Sequence, residues 1–245
     1  MGIQDPSTWL VQVLRFTAFP QYNDRAKEEG WWEVVVGAPA DSRTIKPKEN
    51  LFQDDGEFGD GRLSLAIRPG RVDWVWSANV FADLTAVTIP SLGSFPKTLG
   101  TFRETIDKWV DIAPPLVRLA FGTILDQQAQ DKLSTYNLLQ SYLPAVKLTP
   151  ESSSDFVYQI NRPRNSQAAP GYTINRISKW MGMRGVISVN ENGVVLSKEF
   201  NVARLEIDAS SQIDANVPIE KSKVQPLLHE LIGTTEEIIR TGDKP

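Results

Sequence analysis

The chain has 245 residues, a formal net charge of −4, 41% hydrophobic and 23% charged residues, and no cysteine. A chain of this length can bury a substantial core without covalent cross-links, so one large domain or two closely packed halves are expected. The lack of cysteine excludes disulfides, thiolate zinc sites, iron–sulfur clusters and cysteine nucleophiles. The acidic balance disfavours a duplex-binding domain, which usually carries a basic surplus to displace phosphate counterions.

The sequence also bears on the compartment of the protein. No apolar run approaches the roughly 20 residues that span a bilayer. The N-terminal segment MGIQDPSTW lacks the basic and apolar regions of a signal peptide. We therefore expect a cytoplasmic protein without membrane contact.

The first half of the chain alternates between strand and helix patterns. Apolar and polar residues alternate with period two in strands and recur every three to four residues in helices. The patterns predict a strand at 9–19, a polar segment at 21–30, a strand at 31–37, a polar loop at 38–61, a hairpin at 62–78 turning at Pro69 and Gly70, and a helix at 98–112 with a capping box of Thr101 and Glu104.

The second half follows a similar order. Its patterns predict a strand at 116–125, a helix at 126–143, a strand at 154–162, a hairpin of strands at 174–189 and 194–210, and a C-terminal helix that begins at Pro226 or is kinked there. In that last helix one apolar stripe is expected from Leu228, Leu231, Ile232, Thr235, Ile238 and Ile239. The shared order predicts an α+β fold of two pseudo-similar halves, 1–113 and 114–245. Each would be an antiparallel sheet with helices packed on one face, a ferredoxin-like variant, and together they would form one compact unit.

Four short phrases resemble those of a sporadically distributed, uncharacterised prokaryotic protein family of similar length. They are Phe19-Pro20 at the end of an early strand, the Arg-led strand from Val117, the LEID strand at Leu205–Asp208, and Leu228-His229 in the last helix. The strand from Val117 departs from the family pattern in its tail. The resemblance implies an architecture and no particular reaction, and the sporadic distribution suggests a place in prokaryotic antiviral defence.

The chain offers few residues for catalysis. His229 is the only histidine, so histidine-based catalysis or a metal site would have to use it, and its spacing predicts a half-exposed position beside the apolar stripe. The acidic segment DDGEFGDG at 54–61 does not match a calcium loop, because Gly56 and Phe58 occupy positions that need oxygen ligands. We expect a surface loop there. We assign no catalytic residue, metal site or cofactor.

Two groups of residues are candidates for contact with a partner. Trp31 and Trp32 are neighbours on a predicted strand and so point to opposite faces, which predicts that one lies near the surface or is covered by a helix or a partner. Trp180 lies within the most basic region of the chain. That region surrounds a predicted loop between two strands and could meet phosphate or an acidic partner, although a solvated loop flanked by ordinary sheet charges is the simpler explanation. Its basic residues are Arg162, Arg164, Arg176, Lys179 and Arg184.

The carboxylates of the last strand invite a metal or nuclease site but have a simpler explanation. Glu206 and Asp208 alternate with apolar residues, and Asp214 follows shortly after. A strand with one face on the core and one in water predicts this pattern without a site. Cross-strand Arg or Lys residues from 176–184 are expected to pair with these acids.

Two functions fit these observations. The first is a non-catalytic interaction or adaptor subunit of a prokaryotic multiprotein complex, with a protein partner or self-association. The second is a nucleic-acid-binding or RNA-processing protein built from two ferredoxin-like halves. The acidic composition favours the first.

Overall fold

Ten strands of the chain form one antiparallel sheet. The computed structural model describes residues 5–21, 30–79, 89–191, 194–212 and 217–244, and only the backbone of 187–191 and 194–198. The strands are β1 Leu10–Pro20, β2 Ser42–Lys46, β3 Leu51–Phe58, β4 Gly61–Arg68, β5 Arg71–Ala78, β6 Leu116–Ala129, β7 Val157–Asn161, β8 Arg164–Asn165, β9 Thr173–Glu191 and β10 Val194–Gln212.

Four helices accompany the sheet in the described residues. They are α1 Trp31–Val36, α2 Phe95–Ile112, α3 Lys132–Tyr142 and α4 Lys221–Thr241. The fold is therefore α+β, as predicted. Among the described residues, no helix combines the length and apolar character that crossing a bilayer requires.

The two central strands of the sheet join the two halves of the sequence. The strand order is β2-β3-β4-β5-β1-β6-β10-β9-β7, with β8 paired to β9. β1 and β6 pair antiparallel at the centre, with Phe16 opposite Phe121. In each half the first strand also pairs with the last, β1 with β5 and β6 with β10. One sheet thus runs without interruption across both halves.

The four described helices pack on the same face of this sheet. Aromatic contacts link three of them to the strands: Trp32 of α1 stacks on Trp74, Phe102 of α2 meets Phe121, and Tyr142 of α3 stacks on Trp180. α4 packs on β6, β9 and β10. The apolar stripe predicted for this helix is confirmed, because all six of its residues are buried.

The strand predicted at 31–37 is wrong, because these residues form helix α1. Helical geometry brings Trp31, Trp32 and Val35 to one side, where all three are buried. A strand would have sent the two indoles to opposite faces. Glycines with positive φ stand at both ends, Gly30 at 98° and Gly37 at 82°. The gain from burying both indoles outweighs the strand preference of the three consecutive valines.

The loop predicted at 38–61 is also wrong, because most of it forms β2 and β3. The acidic and glycine residues that suggested a surface loop have partners in the fold. Asp54 is 1% exposed and receives two hydrogen bonds from Arg43, at 2.7 and 3.0 Å. Gly56 lies against the Trp32 ring, where a Cβ would come within 2.8 Å of the indole. Composition alone cannot reveal such pairing.

Several predicted boundaries shift. The helix predicted at 126–143 begins only at Lys132, because Asp126 still belongs to β6, and Asp131 caps the helix through the Ser134 N–H. α2 begins at Phe95, so Thr101 lies inside the helix and caps nothing. α4 begins at Lys221 with Pro226 inside it, in agreement with the longer of the two alternatives. The hairpin around Pro69 and Gly70 is confirmed.

The C-terminal end of α4 packs closely on the end of α3, and this contact is testable. Gly242 has φ 69° and ψ −159°, and a Cβ there would lie 2.1 Å from the Tyr142 carbonyl oxygen. We expect Gly242→Ala to lower the free energy of unfolding by about 1–3 kcal/mol from backbone strain, with the clash adding to this. Urea denaturation measures the change.

The matched control lies in the same helix. A Cβ at Gly233 would meet no atom within 4 Å. Gly233→Ala should therefore stabilise the protein by about 0.5–1 kcal/mol, since alanine loses less entropy in a helix. Equal effects of the two variants would contradict the close packing of the α4 end.

Candidate functional site

The face of the sheet opposite the helices holds a shallow groove at its centre. We call this face the open face. The groove has a volume of about 230 Å³. Residues of β1, β6, β9 and β10 that alternate with core residues line it, namely Val13, Arg15, Gly122, Ile124, Ile177, Lys179, Glu206 and Asp208. Gln159 of β7 lies at its margin.

The predicted carboxylates Glu206 and Asp208 lie in this groove, each paired with a cation. The Lys179 Nζ lies 3.2 Å from Glu206 Oε2, directly across the β9–β10 ladder. The cross-strand pairing expected from 176–184 is thus confirmed for Glu206. Arg15 Nη2 lies 3.0 Å from Asp208 Oδ2 and crosses Gly122, where a Cβ would sit 3.1 Å from the guanidinium. Asp214 lies outside the described residues.

Further ion pairs continue across the open face. Arg204 makes a bidentate contact with Asp126 at 2.7 and 2.8 Å. Arg71 makes the same kind of contact with Asp73, which also accepts a hydrogen bond from Thr17. Asp126 and Asp73 were not singled out from the sequence. In the predicted hairpin at 62–78, alternation places Asp73 on the polar face of its strand, and this was the sequence pattern that could have revealed it.

This arrangement limits what the carboxylates can do chemically. A carboxylate that accepts two guanidinium hydrogen bonds has given its best lone pairs to a fixed partner. A metal ion would have to break such a pair and leave a cation without its counter-charge. Within the described part of the chain, no three Asp, Glu or His residues are placed to hold a metal ion together.

Three arginines of the predicted basic region lie along α4 and its C-terminal end. Arg162 contacts Asp243 with Nη2 and Oδ2 2.9 Å apart. Arg164 and Arg176 share Glu237, at 2.8 and 2.9 Å. Each guanidinium is thus paired within the chain, and together these contacts fasten the segment before β9 to α4.

Glu230 extends the same attachment toward the middle of α4. It accepts hydrogen bonds from the Ser166 hydroxyl and from the backbone N–H groups of Gln167 and Ala168. Burial opposes ionisation of Glu230, but these donors outweigh it and hold its pKa below the ordinary value. The extended segment 162–168 therefore meets α4 at three successive levels.

The remaining two basic residues lie elsewhere. Lys179 belongs to the open face, whereas Arg176, three positions earlier in the same strand, faces the helices. Arg184 pairs with Glu199 at 2.6 Å in an exposed position. The structure therefore does not bring the five cations together, and each one contacts a carboxylate.

The tryptophans proposed for an interface are all buried within the chain. Trp31 is 6% exposed, Trp32 1% and Trp180 0%. The strand premise of that prediction is wrong, because both indoles lie on the buried side of α1. Of its alternatives, cover by a helix is the one found, since the Trp31 ring lies 5.4 Å from that of Trp109 in α2. The exposed apolar residue of this helix is Val34, at 62%.

His229 is half-buried beside the apolar stripe of α4, as its spacing predicted. Its Nδ1 lies 3.3 Å from Arg103 Nη2, and its Nε2 lies 3.2 Å from Asp107 Oδ1. A guanidinium only donates, so Nδ1 accepts, and in the neutral ring Nε2–H donates to Asp107. The ring thereby bridges α2 and α4.

The Asp243 contact gives a pH-dependent prediction. Hydrogen bonds from Arg162 and, to a lesser extent, from Tyr158 hold the pKa of Asp243 below its ordinary value. A lowered folded-state pKa contributes stability above the unfolded-state value of about 3.9, and this stability is lost as the pH falls through the folded-state pKa. Asp243→Asn should therefore unfold at lower urea concentration than the unchanged protein at pH 7, and the difference should shrink below about pH 4.

An exposed ion pair provides the control for this measurement. Glu199→Gln removes a carboxylate whose contact with Arg184 is largely open to water. Exposed pairs of this kind contribute little, so no comparable loss is expected at pH 7. A difference for Asp243→Asn that did not depend on pH would contradict the electrostatic origin of the effect.

No protein-family model matches the chain, and no curated protein matches it. The resemblance to a sporadically distributed prokaryotic family stays a prediction.

Proposed function

We propose that this chain is a non-catalytic interaction subunit of a prokaryotic multiprotein complex, and that the open face is a contact surface. The observation that carries the proposal is the central groove, where two ion pairs flank apolar side chains. The side chains of Arg15 and Asp208 are 40% and 38% exposed, so a partner can reach this ion pair. The opposite charges of the two side chains already neutralise each other. Ile124 of β6 lies opposite Glu206 and Ile177 of β9 lies opposite Asp208, so a partly exposed isoleucine stands on each side of the two carboxylates.

The mixture of charge and apolar surface favours a protein partner over a polyanion. Protein interfaces combine apolar patches with a polar rim, and complementary charges set their specificity. A nucleic-acid surface needs cations that remain available to phosphate. The cations of this groove face carboxylates of the same chain at 3.2 Å or less.

We further propose that the two halves are variants of one ferredoxin-like unit. In each half a first strand is followed by a helix, then by antiparallel strands, and then by a second helix on the same face. In each half the last strand returns to pair with the first. A cytoplasmic location and a role in antiviral defence complete the proposal, on the basis of composition and of the family resemblance.

The proposal makes a prediction about nucleic acids. The chain should not shift single-stranded RNA or DNA in a gel at physiological salt, because its net charge is −4 and the groove cations are paired. A double variant, Glu206→Gln with Asp208→Asn, is the control, since it releases Lys179 and Arg15 from their carboxylates. Any weak binding should be stronger in this variant than in the unchanged chain.

Two outcomes would favour the nucleic-acid function instead. One is tight binding by the unchanged chain that weakens steeply as salt rises. The other is magnesium-dependent cleavage of RNA or DNA that disappears in Glu206→Ala or Asp208→Ala.

A second prediction concerns the partner directly. When the chain is produced together with the products of adjacent genes, we expect it to elute with one of them as a stable complex. Ile177→Glu places a charge in the groove and should reduce recovery of the complex at least tenfold, as expected for the loss of about 1.4 kcal/mol. Lys108→Glu changes an exposed residue of α2 on the helical side and should leave recovery unchanged. Equal recovery with both variants would exclude the open face as the contact surface.

A further inference from the structure

The outer strand β2 has no neighbour on one side among the described residues. Within them it is the last strand on its side of the sheet and pairs with β3 alone. All five of its residues are exposed. It contains neither proline nor glycine, and its register with β3 continues without a bulge. Edge strands usually contain a proline, a glycine or a bulge, because their free N–H and C=O groups can otherwise pair with another strand.

The positively charged side chains of β2 do not prevent another strand from pairing at this edge. Arg43 turns toward the helical side, where it contacts Asp54 at 2.7 Å and Glu33 of α1 at 3.5 Å. Lys46 lies 3.7 Å from Glu49 in the following turn. Both positive charges are therefore engaged by carboxylates of the same chain, and the strand between them offers Thr44 and Ile45.

We propose that β2 pairs antiparallel with β2 of a second copy of this chain, across a two-fold axis at Thr44. This register sets Thr44 opposite Thr44 of the second copy, a favourable cross-strand pair. Arg43 then faces Ile45 of the second copy, and Ser42 faces Lys46. No like charges meet, so the strand is complementary to itself, which an isologous dimer requires.

Apolar surface next to the strand enlarges the contact. A strand of five residues is only about 17 Å long, and a stable dimer usually buries about 800 Å² on each partner. Ile45 is 60% exposed and points to the helical side, the side on which α1 lies. Val34 of α1 is 62% exposed and follows Glu33, the residue in contact with Arg43. In the dimer both side chains gain cover, and the two sheets become one continuous sheet.

This inference rests on the proposed interaction role but uses a different surface, so the two can fail separately. Light scattering of the purified chain should give a dimer. Thr44→Lys and Thr44→Glu each place like charges opposite one another on the axis and should weaken dimerisation about tenfold. An equal mixture of the two variants sets lysine opposite glutamate and should restore the dimer.

The control lies at the other edge of the sheet. Val157 of β7 is also exposed, so Val157→Lys adds a comparable charge there and should leave the dimer intact. Circular dichroism should give the same secondary structure for all variants as for the unchanged chain, because Thr44 is exposed. A monomeric unchanged chain, a dimer indifferent to both Thr44 variants, or a mixture that does not reassociate would overturn the proposal. None of these results bears on the open face, which the Ile177→Glu experiment tests.

Discussion

The antiparallel pairing of β1 with β6 is the contact on which the rest of the fold depends. Because β1 also pairs with β5 and β6 also pairs with β10, the strands of both halves form one sheet. One layer of helices covers one face of this sheet. The core is shared across this seam, with Phe16 and Phe121 opposite each other and Phe102 against Phe121.

Helices cover one face of the sheet, and its other face carries charged side chains. The chain pairs these acids and bases across neighbouring strands, Arg204 with Asp126 and Lys179 with Glu206. On the helical side, Glu237 of α4 and Asp243 just after that helix hold Arg162, Arg164 and Arg176 in the same way. Residues that look like candidates for catalysis or phosphate binding in the sequence therefore serve to hold strands and helices in place, and the open surface left to partners is nearly balanced in charge.

Periodicity predicted the elements whose burial follows one regular face. The hairpin around Pro69 and Gly70, the long β9–β10 hairpin and the buried stripe of α4 are of this kind. Prediction failed where a residue depends on a distant partner. Asp54 and Gly56 suggested a loop, yet Arg43 neutralises the first and the Trp32 ring occupies the space beside the second.

Local spacing in the sequence was enough to predict the α+β class, the water-facing positions of Glu206 and Asp208 in their strand, and the half-exposed position of His229. Local spacing could not predict which strands pair. β1 and β6 are separated by about a hundred residues and pair through backbone groups that every residue carries. The tertiary structure also decided that Trp31 and Trp32 share one buried side. The six residues of α1 fit a strand or a helix by local preference, and the hydrophobic gain from packing both indoles against the sheet and α2 selects the helix.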